Sequence, residues 1–217
     1  MRTTELDLDG HRGLLLRPAS ARWLYVLAHG AGAGMRHVFM NDIAVQLAAH
    51  DVATLRWEFL YMSAGKARPD SAPVAEASVQ RVWAAARRRF DLPMFAGGKS
   101  FGGRMTSRAH AAAPLEGVCG LAFLGFPLHP ADKPGTERAD HLPLANGPLL
   151  FVQGTRDELA PLARLRRVLQ KLGKRAKLHV VAGADHGFEV LVRSGRTAVD
   201  VHAEIASAVA GWMTSAA

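Results

Sequence analysis

A serine, an aspartate and a histidine each lie in a short turn that directly follows an apolar run of strand length. Ser100 is the middle residue of Gly98-Lys99-Ser100-Phe101-Gly102, which fits the pattern G-x-S-x-G. Between a strand and a helix, this pattern holds a serine hydroxyl on a tight, strained turn, where it acts as a nucleophile. With this content of glycine and serine, the pattern is expected by chance in about one such chain in ten. The assignment therefore depends on the aspartate and the histidine as well.

Asp157 and His186 are the groups that would activate this serine. Serine is a poor nucleophile at neutral pH and needs an imidazole base, which in turn needs a carboxylate to fix its tautomer and stabilise the imidazolium. Asp157 follows an apolar run that ends at Gln153, and His186 follows the last such run. We therefore expect a triad of Ser100, His186 and Asp157. Asp185 is the alternative acid, although adjacent loop residues usually point apart.

Two backbone N–H groups are candidates for holding an oxyanion. Phe101 opens the helix after the serine, where N–H groups lack helical partners. The glycine-rich stretch His29-Gly-Ala-Gly-Ala-Gly34 follows an early apolar run, and we expect the N–H of Ala31 to be the second donor. His29 would orient this backbone rather than transfer protons.

Four side chains are candidates for the substrate pocket, namely His29, Arg56, Tyr61 and Lys99. Arg56 and Lys99 are expected near the mouth of the site, where they would favour anionic substrates. The alternative interpretation is that Lys99 is solvated and that Arg56 pairs with Glu58 on the same strand face.

The elements that must position these residues alternate between strands and helices. A hairpin is predicted around Asp9-Gly10, followed by strands near residues 23–28, 52–59, 92–96, 117–126, 148–153 and 176–182. Amphipathic helices separate most of the later strands. This alternation predicts one α/β domain, residues 1–217, with a mostly parallel twisted sheet and helices on both faces. Ligands bind at the carboxyl ends of the strands in such sheets, where all the candidate turns lie.

Composition excludes several classes of function. With no apolar run near 18 residues, no membrane span is expected. The net charge is +8, but the basic clusters lie along predicted helix faces without interleaved aromatic residues, so we expect no nucleic-acid partner. No ligand spacing or phosphate-loop pattern predicts a metal or a cofactor. The first residues lack the apolar core of a signal peptide and Cys119 is the only cysteine, which favours a cytoplasmic protein.

The chain resembles the α/β-hydrolase superfamily at these residues. It is similar to the small cap-less bacterial proteins often labelled dienelactone-hydrolase-like, which are related to the eukaryotic testis-expressed and NSL-complex hydrolase-like proteins. The matching blocks span nearly the whole chain: HGAGAGM from His29, RWEFLYM from Arg56, AGGKSFGGRM from Ala96, FPLHP from Phe126, FVQGTRD from Phe151 and GADH from Gly183.

This resemblance implies the α/β-hydrolase fold with Ser100, Asp157 and His186 as its triad, and it implies no known substrate. Dienelactone hydrolases proper have Cys where this chain has Ser100, so the dienelactone itself is in doubt. Residues 127–147 occupy the usual lid position and are too short for a cap domain, which predicts an open, shallow site.

The leading hypothesis is a serine hydrolase of small carboxylic esters or thioesters, acting through an acyl-enzyme as a monomer or homodimer. Two rival hypotheses stay open. One is a non-catalytic binding or scaffold protein that retains the fold. The other is a small serine peptidase with the same triad.

Overall fold

An eight-stranded sheet forms the centre of the structure, a computed structural model that describes residues 2–216. Its strands are β1 (Thr3–Asp7), β2 (Arg12–Leu16), β3 (Trp23–Ala28), β4 (Val52–Trp57), β5 (Met94–Lys99), β6 (Val118–Leu124), β7 (Leu149–Gly154) and β8 (Ala176–Val181). The helices in this range are α1 (Val38–Ala48), α2 (Leu60–Ser63), α3 (Ala72–Arg89), α4 (Phe101–Ala112), α5 (Leu162–Leu172) and α6 (Ala198–Ala216).

The strands lie side by side in the order β1-β2-β4-β3-β5-β6-β7-β8. The first two form the predicted antiparallel hairpin, in which Asp9 and Gly10 both have positive φ angles. β2 also pairs antiparallel with β4, whereas the five remaining pairs, from β4–β3 to β7–β8, are parallel. The prediction of a mostly parallel sheet is therefore confirmed.

Helices cover both faces of the sheet, which explains why the central strands are apolar along their whole length. All six residues of β3 and of β7 are buried, as expected of strands without a solvent face. Apolar side chains of α3, α4 and α5 pack on one face of the sheet, and those of α1 and α6 pack on the other. The site is thus built on a rigid, doubly covered sheet.

Short helical segments lie in the connections at the carboxyl edge of the sheet. Residues 127–147, predicted as a loop without a cap domain, contain two turns of 3₁₀ helix, Glu137–Ala139 and Leu142–Leu144. The stretch after β4 also contains the one-turn helix α2. None of the helices in the described range is long and apolar enough to span a membrane.

Candidate active site

Ser100 lies between the last residue of β5 and the first residue of α4, in a backbone conformation that is rare outside glycine. Its φ is 49° and its ψ is −112°, so the turn is strained. Its N–H donates to the carbonyl of Leu124 at 3.0 Å, which ties the turn to the neighbouring strand β6. The strain is therefore held in place by the sheet.

Two glycines let α4 approach the sheet closely at this turn. A Cβ on Gly98 would lie 2.9 Å from the carbonyl carbon of Gly102, and a Cβ on Gly102 would lie 2.6 Å from the carbonyl oxygen of Ala28. Both neighbours are backbone atoms that cannot rotate away. The glycines predicted from the sequence are thus required by close packing of helix and strand.

Three strand ends bring Ser100, His186 and Asp157 into one hydrogen-bonded chain. The Oγ of Ser100 lies 2.8 Å from Nε2 of His186, and Nδ1 of His186 lies 2.7 Å from Oδ2 of Asp157. Because a carboxylate accepts at Nδ1, the imidazole carries its proton there and leaves Nε2 free to accept the serine proton. The sequence-predicted residues therefore meet with the spacing that nucleophile activation needs.

The carboxylate of Asp157 is fully buried, whereas the imidazole of His186 is about a quarter exposed. Besides the imidazole, the carboxylate accepts hydrogen bonds from the Nε2 of Gln153 and from the N–H of Leu159, the latter at 2.9 Å. Gln153 also accepts from the N–H of Phe126 at 3.0 Å. These donors satisfy the buried carboxylate and fix its orientation.

Gln153 had no role assigned from the sequence. The available signal was its type: a polar residue inside an otherwise apolar, fully buried strand.

The alternative acid, Asp185, faces elsewhere. Its Oδ1 accepts the N–H of Glu189 at 2.9 Å, and its carbonyl accepts the N–H of Phe188 at 3.1 Å. It therefore shapes the loop after His186, while Asp157 is the carboxylate that contacts the imidazole.

His29 and Tyr61 hold the glycine-rich loop between β3 and α1. Nδ1 of His29 donates to the carbonyl of Gly30 at 2.7 Å, and its Nε2 accepts the N–H of Phe59 at 3.2 Å. Both ring nitrogens are thus engaged with backbone, and burial lowers the pKa of His29 so that it stays neutral. The Tyr61 hydroxyl accepts the N–H of Gly32 at 2.9 Å.

Both of these side chains are buried and lie behind the loop rather than on the wall of the pocket. Ala31, in the same glycine-rich loop, is exposed and lines the pocket. Phe101, as the first residue of α4, has an N–H without a partner inside the helix.

The prediction that Arg56 lies at the mouth of the site is wrong. Arg56 is 1% exposed, and its guanidinium bonds to the carbonyl of Met35 at 3.3 Å and to the amide oxygen of Asn41. It does not pair with Glu58, which instead lies 3.5 Å from Arg12. The side chain is directed under the loop because its strand position faces α1, so it supports the site without lining it.

Lys99 lines the pocket, and its ammonium group is directed toward the histidine loop. Nζ donates to the carbonyl of His186 at 2.5 Å and lies 5.8 Å and 5.3 Å from the ring centroids of Phe39 and Phe188. Burial lowers the pKa of Lys99 to about 8, and the charges of Asp157 and Asp185 oppose that shift. The ammonium group therefore holds the backbone of His186 in position.

The pocket in front of Ser100 has a volume of about 200 Å³. It is lined by Gly30, Ala31, Ala33, His37, Phe39, Met40, Lys99, Ser100, His186 and Gly187. His37, Phe39 and Met40 were not predicted as pocket residues, because nothing in the sequence shows that the start of α1 turns back over the serine. Among residues 2–216, no group of three or more His, Cys, Asp or Glu side chains is placed to hold a metal ion.

Comparison with known proteins agrees with this architecture. Residues 21–214 match the family model described as alpha/beta hydrolase domain. A dienelactone hydrolase from Anabaena variabilis is 20% identical, with a TM-score of 0.77 over 99% of this chain and 97% of that one.

Two further structures show the same fold. A serine hydrolase without a lid from Xanthomonas campestris is 19% identical, with a TM-score of 0.73 over 97% of this chain and 94% of that one. A cold-adapted esterase from an Arctic intertidal metagenomic library is 19% identical, with a TM-score of 0.66 over 97% and 92% of the two chains.

Proposed function

We propose that this chain, which belongs to the alpha/beta hydrolase domain family, is a serine hydrolase of small carboxylic esters or thioesters. The observation that carries the proposal is the hydrogen-bonded chain from Ser100 through His186 to the buried Asp157. Fold alone would not carry it, because one fold hosts many functions.

In the first half of the reaction, Oγ of Ser100 attacks the carbonyl carbon of the substrate while its proton passes to Nε2 of His186. The carbonyl oxygen becomes an oxyanion, which accepts hydrogen bonds from the N–H groups of Ala31 and Phe101. The bond to the leaving oxygen or sulfur then breaks as His186 returns the proton to it. The product is an acyl-enzyme and a free alcohol or thiol.

In the second half, a water molecule gives a proton to Nε2 of His186 and attacks the acyl carbonyl. The second oxyanion collapses, the bond to Oγ of Ser100 breaks, and His186 protonates the serine. Throughout both halves, Asp157 holds the imidazole in one tautomer and stabilises the imidazolium. The steps use only side chains, backbone N–H groups and water.

The test is a fluorophosphonate, which forms a covalent bond with an activated serine and is read as an increase in intact mass. We expect one adduct on the wild type and none on Ser100→Ala, with turnover of ester substrates reduced by several orders of magnitude. Ser107→Ala is the matched control. The hydroxyl of Ser107 also lies close to a histidine, 2.7 Å from Nε2 of His141, but it is buried in α4, so this variant should still take the adduct.

No adduct on a folded wild-type protein would refute the assignment and favour a binding or scaffold protein. An adduct accompanied by faster cleavage of amides than of esters would favour a peptidase.

A further inference from the structure

A groove of about 610 Å³ continues from the pocket in front of Ser100. The pocket and the groove share His37, Phe39 and Gly187. A substituent of a substrate that leaves the pocket beside the imidazole therefore enters the groove directly. The groove runs between the start of α1 and the segment that joins the histidine loop to α6.

The floor of the groove consists of two aromatic rings. Phe39 and Phe188 stack with centroids 5.6 Å apart and planes 9° from parallel, and both are almost completely buried. Val38 and Val192 lie at the rim, 65% and 97% exposed. Because the rings are already buried, the free energy gained when an apolar ligand covers this surface comes mainly from the exposed valines.

The backbone of Phe188 is strained, which indicates that the position of its ring has a functional role. Phe188 has a φ of 69°, in a region that bulky residues rarely occupy. Bonds from its own N–H and from that of Glu189 to Asp185 keep the turn in place. Strain of this kind collects at functional sites, and Ser100 itself is the other strained residue of the same region.

Among the charged side chains of the described residues that line the groove, Glu189 alone has no ionic partner, and it is an anion. Nδ1 of His202 lies 3.5 Å from the carboxylate of Asp42. Arg196, the one arginine or lysine among the described lining residues, is bonded to Glu204 and to the carbonyl of Ala182. An anionic tail would therefore meet the carboxylate of Glu189 and no available cation, whereas an uncharged chain can cover the apolar part of the groove.

We propose that this groove binds an uncharged apolar chain of the ester or thioester, extended away from the scissile bond. This inference rests on the proposed function and adds to it the substrate class. The chain is either the acyl chain or the alkyl part of the alcohol or thiol, and two series of substrates distinguish them. The first is p-nitrophenyl esters with acyl chains of two to ten carbons, and the second is alkyl acetates with alcohols of the same lengths.

The expected result is a rise in kcat/KM with length in one series. A fully buried methylene contributes about 4-fold and a half-covered one about 2-fold, so the rise should be about 2- to 4-fold per methylene until the groove is full. Adding a terminal carboxylate to the longest good substrate should reverse the gain.

Two tryptophan variants on α6 test the location of the chain. Ala198 lines the groove, and Ala198→Trp should lower the ratio of long-chain to acetyl activity at least tenfold. Val199, the next residue, is 63% exposed and does not line the groove, so Val199→Trp should leave both activities unchanged. Fluorophosphonate labelling of both variants reports that the serine is still activated.

Four outcomes are distinguishable. A length dependence that Ala198→Trp removes and Val199→Trp preserves supports the proposal, and the series in which it occurs identifies the chain. Ester hydrolysis without length dependence, or with a dependence that survives Ala198→Trp, overturns the groove and leaves the hydrolase intact. An Ala198→Trp variant that instead changes from dimer to monomer assigns the groove to a second copy of the chain and overturns the proposal. Absence of both labelling and hydrolysis in the wild type overturns the proposed function and the groove with it.

Discussion

Replacing Asp157 with Asn removes the negative charge that faces Nδ1 of His186 and preserves the shape of the side chain. In the proposed reaction, His186 is an imidazolium at each transition state and a neutral imidazole in the free enzyme. The substitution therefore removes an attraction that is strongest in the transition state, and the loss should be seen mainly in kcat.

The magnitude follows from the distance. With Nδ1 and Oδ2 2.7 Å apart, the two charge centres are separated by about 4 Å, where unit charges attract by about 4 kcal/mol at an effective dielectric constant of 20. That energy corresponds to about 10³-fold in rate. The amide also presents an NH₂ group, which in one orientation forces the imidazole into the wrong tautomer, so we expect a loss of about 10³- to 10⁴-fold.

The assay is kcat and KM for a p-nitrophenyl ester, measured beside the melting temperature and the rate of fluorophosphonate labelling. Asp185→Asn is the matched control, because it removes the same charge one residue from His186. Asp185 bonds to the backbone of its own loop, so this variant should lose less than tenfold. The reasoning would be refuted by near-normal turnover in a folded Asp157→Asn variant, or by a larger loss in Asp185→Asn.

Two further predictions concern residues that support the site. Tyr61→Phe deletes the hydroxyl that accepts the N–H of Gly32, so kcat should fall about tenfold with KM little changed, as steady-state kinetics would show; an unchanged kcat would contradict a positioning role. Since burial lowers the pKa of Lys99 to about 8 from 10.5, the unfolded chain binds more protons than the folded one between those pH values. The unfolding free energy of the wild type should therefore rise relative to Lys99→Met from pH 8 to 10.5, by about 1–3 kcal/mol in urea titrations, and a fall would contradict the shift.

Local patterns were enough to predict the elements and the three residues that the structure brings together. Ser100, Asp157 and His186 each follow a strand within a few residues, and the carboxyl ends of parallel strands lie at one edge of a sheet. Which strands are neighbours could not be read from the sequence, because pairing such as that of β2 with β4 depends on contacts distant along the chain.

The directions of side chains and their hydrogen-bond partners also could not be predicted from the sequence. Arg56 sits in the strand beside the glycine loop, and a cation there is as compatible with a substrate anion as with a buried carbonyl. Its partners, Met35 and Asn41, are supplied by the loop and by α1, which only the packed structure brings near. His29 and Tyr61 were similarly expected at the pocket, and the structure places them behind the loop.

The strand β8 lies at the edge of the sheet and carries the histidine loop at its end. It has one partner strand, β7, and most of its residues are only half-buried, whereas β5 under Ser100 is central. Edge elements open in local fluctuations that cost less free energy than global unfolding, and exchange their amide protons faster. The base and the nucleophile thus belong to units of unequal local stability. On heating, we expect β8 to open and displace His186 before the rest of the sheet unfolds, and to return on cooling. A stabilising substitution in β8 would therefore extend the working temperature most.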